Sequence, residues 1–353
     1  MLQLLKEDGT LAGGIRPPLA PDELRTVYRA MVQIRLLDKK MLALQRQGRI
    51  SFYGPSTGQE AAIIGSALAL SPTDWIYPAL REGGAALMRG FPLDKYIAQL
   101  FGNASDLLKG RQMPCHYACR DVNQVSWSTC VGNQLPQAVG TALAARSRGD
   151  SLTVLAYLGD GATSEGDFHW AMNFAGVFHA PVIFLCQNNH WAISVPVAQQ
   201  TASQNIAIKA QAYGIEGLQV DGNDVLAVYS ATRRAVDKAR GSGGPTLIEA
   251  FTYRIGAHSS SDDPSRYQDE AVTEQWRSRD PIARLKRYLI RKKIWNQERD
   301  HALREELLQD IQEAVGREEV VGPPERESLF EDVYSVVPWH LQEQMIGLGN
   351  RSQ

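Results

Sequence analysis

Residues 152–191 read LTVLAYLGDGATSEGDFHWAMNFAGVFHAPVIFLCQNNHW. An apolar run from Leu152 to Leu158 stops at Gly159-Asp160-Gly161, a helical segment follows, and a second apolar run from Val182 to Cys186 ends in Gln187-Asn188-Asn189. Such a pattern describes a strand, a crossover helix and a parallel strand. Crossovers of this kind are right-handed, so the carboxyl ends of the strands, and with them Asp160 and Asn189, converge on one crevice. Ligands of open α/β sheets bind at that edge. A carboxylate and a carboxamide oxygen beside glycines are hard ligands, suited to Mg²⁺ or Ca²⁺ rather than to zinc. Mg²⁺ is held by few protein groups together with substrate phosphates. A helix starting near Ala162 would turn free N–H groups and its positive end towards such phosphates. The stretch predicts a metal-bound diphosphate.

Gly-Asp-Gly alone is a common turn. Nor is it a dinucleotide fingerprint: Gly159 and Gly161 fit, but the sixth position is Ser164 and the next glycine is Gly166. Weight comes from Asn188-Asn189 at the corresponding end of the second strand, after 26 intervening residues, 162 to 187.

At this point the sequence resembles a known family. GDGATSEGDFHWAMNFAGVFHAPVIFLCQNN is similar to the motif of thiamine diphosphate enzymes. It looks closest to the alpha subunit of the decarboxylating component of 2-oxo acid dehydrogenase complexes, branched-chain type. Supporting segments are GRISFY (48–53), LREGG (80–84), KGRQMP (109–114), NQLPQAVG (133–140), VDGNDV (220–225) and YRIGAHSSSDD (253–263). The resemblance implies an α/β fold, a mostly parallel open sheet flanked by helices, with a helical C-terminal extension. It divides the chain into an arm and helix (1–47), a thiamine diphosphate-binding domain (48–268) and a helical extension and subunit-contact tail (269–353).

The same resemblance implies the site. Mg²⁺ is expected on Asp160, Asn189 and the backbone carbonyl of Trp191. Gly161, Ala162, Gln187, Arg81 and His258 would surround the diphosphate, and a guanidinium suits that task. Thr129 and Val131 would lie beside the aminopyrimidine, and Phe52 would contact an apolar 2-oxo acid side chain. Ser128, Cys130, Asn133 and Gln134 match a stretch that binds K⁺ in some relatives. His258 matches the family's active-site histidine, and Ser259 the serine phosphorylated in regulated mitochondrial relatives. One departure is Leu80, where the family commonly has a tyrosine before the arginine. The carboxylate that must bond the aminopyrimidine comes from a beta subunit in this family. The expected assembly is therefore an α2β2 heterotetramer that passes an acyl group to a lipoyl-bearing acyltransferase. Pyruvate or acetoin is the alternative substrate. A nicotinamide oxidoreductase and a non-catalytic interaction protein are the readings from other classes.

Composition sets bounds. A chain of 353 residues can bury a large core, and a net charge of −2 gives no basic field for nucleic acid. MLQLLKEDGTLAGG lacks both the apolar core of a signal peptide and the Arg-rich character of a transit peptide. No apolar stretch approaches the roughly 20 residues of a membrane span. The expected address is the cytoplasm, or the mitochondrial matrix for a processed eukaryotic form. CHYAC (115–119) contains a potential zinc knuckle, but no second Cys/His pair stands at ligand spacing, so reduced thiols are expected at Cys115, Cys119, Cys130 and Cys186.

Elsewhere, Leu24, Val27, Tyr28, Met31, Ile34, Leu37 and Met41 recur at helical spacing after Pro21. Phe52 and Tyr53 look like exposed loop aromatics. The crossover helix is apolar nearly all round, with Phe168, Met172 and Ala175 on one face and Trp170, Phe174 and Val177 on another. That predicts burial against the sheet on one side and another subunit on the other. Beyond Asp269, Trp276, Ile282, Leu285, Leu289, Leu303, Leu307, Ile311 and Val315 form amphipathic stripes.

Overall fold

A computed structural model describes residues 1–14 and 16–349. Residue 15 and residues 350–353, at the two ends of the expected division, lie outside the described residues. After an extended arm come α1 (Pro21–Arg46), α2 (Glu60–Leu68), β1 (Trp75–Tyr77), α3 (Gly83–Met88), α4 (Leu93–Phe101), α5 (Gln134–Arg148), β2 (Val154–Gly159) and α6 (Gly166–Val177). Then follow β3 (Val182–Asn188), a short hairpin of β4 (Trp191–Ala192) and β5 (Val195–Pro196), α7 (Val197–Gln200), β6 (Glu216–Asp221), α8 (Val225–Arg240) and β7 (Thr246–Phe251). The chain closes on α9 (Glu270–Ser278), α10 (Pro281–Arg291), α11 (Gln297–Glu319) and α12 (Trp339–Gly349).

Five strands form one parallel sheet in the order β1-β2-β3-β7-β6. β2 and β3 are neighbours, with Gly159 opposite Gln187. Both strands are apolar because both faces of the sheet are covered. Leu155, Tyr157, Ile183 and Leu185 face a core shared with α1, α2, α8, α10 and α11. Val154, Ala156, Leu158, Val182, Phe184 and Cys186 alternate into a second core under α5 and α6. α6 turns Phe168, Met172 and Ala175 into that core and leaves Trp170, Phe174 and Val177 exposed. The expected amphipathic stripes of α1, α9, α10 and α11 are all buried.

The expected helix at Ala162 is displaced. Thr163 N and Oγ1 both donate to the carbonyl of Asp160, at 3.1 and 2.8 Å, and wind Gly161–Ser164 into a 3-10 turn. Glu165 is extended (φ −84°, ψ 148°), so α6 begins only at Gly166. A hydroxyl bonding the backbone locally competes with α-helical pairing, which explains the shift. Tyr53 also departs from expectation: it is buried, its hydroxyl 2.9 Å from Asp38 Oδ1 and 3.1 Å from the Tyr96 hydroxyl.

The arm covers the sheet edge. Leu2 pairs with Val220, and Asp224, which caps α8, accepts from Leu4 N and Leu5 N at 2.6 Å through Oδ2 and from Leu226 N and Ala227 N through Oδ1. At the other side of the core, Tyr28 of α1 donates to Asp300 of α11 at 2.5 Å. Among the described residues no helix is long and apolar enough to cross a membrane. Because one buried carboxylate serves both the α8 cap and the arm, Asp224→Ala should cost more than the ~1 kcal/mol typical of a lost cap. It should also speed proteolysis of residues 1–14. Denaturant unfolding and limited proteolysis check this, and a variant with unchanged arm protection contradicts it.

Candidate active site

The carboxyl edge of the sheet opens into a cavity of about 490 Å³. The end of β2 and the turn after it contribute Gly159, Asp160, Gly161 and Ala162. The end of β3 and the turn after it contribute Gln187 and Asn189, and the turn after β1 contributes Leu80, Arg81 and Glu82. Trp191, His258 and Phe52 enter from loops, and Thr129 and Val131 from the segment before α5. Every residue expected to hold Mg²⁺, thiamine diphosphate or substrate therefore lines one cavity. Ser259 does not; it is buried behind the wall, with its carbonyl accepting from Asp262 N at 3.1 Å. Of the four K⁺-stretch residues, Ser128 and Gln134 line the cavity, Asn133 keeps a buried unpaired Oδ1, and Cys130 is exposed.

Asp160 is 1% exposed. Gln200 Nε2 donates to its Oδ2 at 3.0 Å, while Oδ1 is buried without a partner. Burial pushes the carboxyl up to about 6, against the hydrogen bond from Gln200. A buried carboxylate oxygen with no donor is costly, and a hard cation is the group that relieves it. Asn189 stands beside it, fixed by donation from Nδ2 to Gln59 Oε1 at 3.1 Å, with Oδ1 accepting from Trp191 N at 3.2 Å. The carbonyl of Trp191 accepts a long, 3.4 Å contact from Arg254 Nη1. The glycines of the motif differ in purpose. A Cβ on Gly161 would meet Ala192 Cβ at 2.6 Å, whereas one on Gly159 would meet no protein atom within 4 Å and would enter the cavity itself. This donor set fits a divalent cation, with open space beside it for an anion.

The cationic side of the cavity is also buried. Arg81 donates through Nη1 to the carbonyl of Pro55 and through Nη2 to the carbonyl of His258 at 2.9 Å. Nη2 also lies 3.2 Å from His258 Nδ1. A guanidinium only donates, so that ring nitrogen accepts and the proton sits on Nε2. Burial, then the nearby Arg81 and Arg254 charges, hold His258 down at about 3. Its imidazole is therefore neutral at physiological pH and offers an N–H. Burial and the Arg254 charge lower Arg81 itself to about 10. Two guanidiniums, Arg81 and Arg254, thus stand near two buried carboxyl groups, Asp160 and Glu82.

Sequence reasoning missed the supports. Glu82 accepts from Ala79 N at 2.7 Å, Arg81 N at 3.2 Å and Gln187 Nε2, tying the end of β1 to the end of β3 across β2. Burial raises it to about 7. Gln59, Gln200 and Arg254 orient the metal-side groups in the same way. Glu82 and Arg254 stood inside the segments LREGG and YRIGAHSSSDD without a role; Gln59 and Gln200 arrive from elsewhere. Cys115 and Cys119 are buried free thiols, and among the described residues no cluster of three His, Cys, Asp or Glu could hold a metal. Lys109 and Arg111 pair with Asp332, and Lys109 also with Glu331.

A sheet-edge crevice with paired hard oxygens and buried cations defines an α/β protein whose crevice fits a metal-bound anion. Residues 28–326 match the model of the family described as dehydrogenase E1 component. The human 2-oxoisovalerate dehydrogenase subunit alpha, mitochondrial, is 42% identical over 338 residues, 96% of this chain and 76% of that protein. The Arabidopsis thaliana subunit alpha 2 is 43% identical over 319 residues (90% and 68%), and the Caenorhabditis elegans subunit alpha 43% over 320 (90% and 74%). The chain belongs to the dehydrogenase E1 component family, as the alpha subunit of a thiamine diphosphate-dependent 2-oxo acid dehydrogenase.

The Phe52 loop rests on Asp38 of α1, which accepts from Tyr53 Oη at 2.9 Å, Ser56 N at 2.9 Å and Thr57 Oγ1 at 2.7 Å. Burial, outweighing these bonds, raises its carboxyl from 3.8 to about 6. Between those values the unfolded chain releases a proton that the folded chain keeps, so stability falls as pH rises through the window. Relative to Asp38→Asn, the wild type should lose up to about 1.4 kcal/mol per pH unit there. Unfolding curves taken at intervals from pH 4 to pH 6.5 test this; parallel pH dependences would contradict it.

Proposed function

We propose that this chain is the alpha half of a branched-chain 2-oxo acid dehydrogenase active site. The observation that carries the reading is the buried, unpartnered Oδ1 of Asp160 beside Asn189, facing a cavity with Arg81 and His258 on its wall. Asp160, Asn189 and the Trp191 carbonyl would hold Mg²⁺. Arg81, Gln187 and His258, with the backbone at Gly161 and Ala162, would hold the diphosphate. Thr129 and Val131 would flank the aminopyrimidine. When bound, thiamine diphosphate supplies the carbanion and electron sink that decarboxylation of a 2-oxo acid requires.

The chain's own contribution is to bind, orient and exclude water. His258, neutral with its proton on Nε2, is suited to donate to an oxygen of the substrate. Phe52, Leu80, Met113, Trp127 and Ile193 give the cavity an apolar side, which fits a branched alkyl group better than a methyl. Leu80 supplies no hydroxyl to the phosphates and instead packs on this side. The relatives named for 2-oxoisovalerate support the same choice.

A second chain completes the site. Met113, Val131 and Ile193 line the cavity yet are 54%, 55% and 57% exposed, an apolar rim without cover. Glu82 is committed to Gln187 and two backbone amides, and the family resemblance assigns the carboxylate for the aminopyrimidine to the beta subunit. An α2β2 heterotetramer handing its acyl group to a lipoyl-bearing acyltransferase is the assembly that the family resemblance implies. A K⁺ ion near Ser128 and Gln134, and phosphorylation at Ser259, belong to the same reading. Burial of Ser259 requires the loop to open before a kinase could act on it.

With the beta chain co-expressed, Mg²⁺ and thiamine diphosphate should raise the melting temperature. Saturation at 100 times Kd corresponds to about 2.7 kcal/mol. Asp160→Ala should abolish the Mg²⁺-dependent shift, and unchanged cofactor affinity in that variant would sink the metal assignment. For the substrate, kcat/KM should favour 3-methyl-2-oxobutanoate over pyruvate by at least ~10-fold, the lower end for one methylene in an apolar pocket. A preference for pyruvate would move the chain to the pyruvate class.

A further inference from the structure

The CHYAC segment contains a histidine that the metal reading leaves unused. Its cysteines turn into the protein: Cys115 Sγ accepts from Gly54 N at 3.4 Å, and both thiols are buried. His116 instead lines the cavity, between Met113 and Trp127, although it is only 4% exposed. Its ring stacks on Trp127 with centroids 4.2 Å apart and planes 13° from parallel. Trp127 is in turn held by its Nε1 donating to the carbonyl of Cys115 at 2.9 Å. Rotation of the imidazole would forfeit that stack.

The ring's hydrogen-bond character follows from its partners. Nδ1 lies 2.9 Å from the Met113 carbonyl and 3.2 Å from the Pro114 carbonyl. Carbonyl oxygens only accept, so Nδ1 carries the proton and the neutral ring has its lone pair on Nε2. Among the described residues none bonds Nε2. His258 is the reverse case, since donation from Arg81 to Nδ1 leaves Nε2 as an N–H. One cavity therefore holds a donor imidazole and an acceptor imidazole.

Resting on the 2-oxo acid reading above, we propose that His116 is a further catalytic residue, whose Nε2 accepts a hydrogen bond from the substrate's C2 oxygen once that oxygen has become a hydroxyl. A 2-oxo acid in its ground state offers only acceptors: a keto oxygen and a carboxylate. Those suit His258 and not the free nitrogen of His116. Nucleophilic addition at the carbonyl carbon opens the C=O double bond and leaves its electron pair on oxygen. That oxygen takes up one proton from solvent in the open cavity and becomes a hydroxyl, a donor, and His116 gains a partner only then. An interaction made only after attack contributes to kcat and not to ground-state affinity.

The test uses the αβ complex loaded with Mg²⁺ and thiamine diphosphate, and three variants. In His116→Asn the amide nitrogen takes the place of Nδ1 on the Met113 carbonyl, but no atom stands at Nε2. His116→Gln places an amide oxygen near Nε2, and His116→Phe keeps the stack on Trp127 with neither nitrogen. Calorimetric affinity for the cofactor should match wild type in all three, which also certifies their folding. The unreactive probe 2-hydroxy-3-methylbutanoate carries the C2 hydroxyl. It should bind wild type and His116→Gln within a few-fold of each other and lose about 10-fold or more in His116→Asn and His116→Phe, with kcat falling in parallel. Wild-type probe binding and kcat in His116→Asn, no probe binding by the wild-type complex, or a weakened cofactor affinity in every variant would each overturn the proposal. A wild-type complex that binds no thiamine diphosphate would instead overturn the cofactor reading itself.

Discussion

The site depends on the pairing of β2 with β3. Their register sets Gly159 opposite Gln187, and a slip by one residue would turn every side chain of one strand to the opposite face. The alternating faces of both strands are filled by two different cores, so the register is fixed from both sides. Asp160 and Asn189 lie one and two residues beyond that last aligned pair, and their proximity is thus a by-product of how the sheet buries its apolar side chains. The convergence of these two side chains is preformed by packing that takes no part in the chemistry proposed for them.

Charge in the crevice follows from the same burial. Asp160, Glu82, Arg81 and His258 are each displaced first by loss of solvent and only then by their neighbours. Asp160 and Glu82 rise towards neutrality, while Arg81 and Arg254 remain cations. What results is a pocket with donors and positive charge on one wall and an uncompensated carboxylate oxygen on another. A cation bound together with an anion satisfies both, and neither ion alone would. Gln59, Glu82 and Gln200 each bond a site residue through a side-chain amide or carboxylate, fixing which atoms remain free.

Much of this was legible in the sequence. The strand–crossover–strand reading of 152–191 holds to within two residues at the strand ends, because continuous apolar runs of this length bounded by glycine and asparagine admit few alternatives. The helical stripes of α1, α10 and α11 were readable from spacing alone. The start of α6 was not, because the Thr163 hydroxyl diverts the backbone at a position where periodicity is silent. Tyr53 was misjudged as exposed because nothing near it in sequence announces Asp38. Gln59 and Gln200 carry no local signal, since each acts on a group tens of residues away, and Arg254 lies in a recognised segment but its partner Trp191 is 63 residues off. His116 was visible only as part of a failed zinc motif, and its neighbours Trp127 and Met113 give it a different setting.

The outer face of α6 bears on the life of the chain before it is assembled. Trp170, Phe174 and Val177 stand 68%, 54% and 63% exposed along one helix, next to Phe178. Large contiguous apolar surfaces of this sort drive self-association when they are left uncovered. A newly made alpha chain therefore has a concentration ceiling set by its own surface. Any chain that covers this face would lift that ceiling, so the supply of such a partner bears on the solubility of this one.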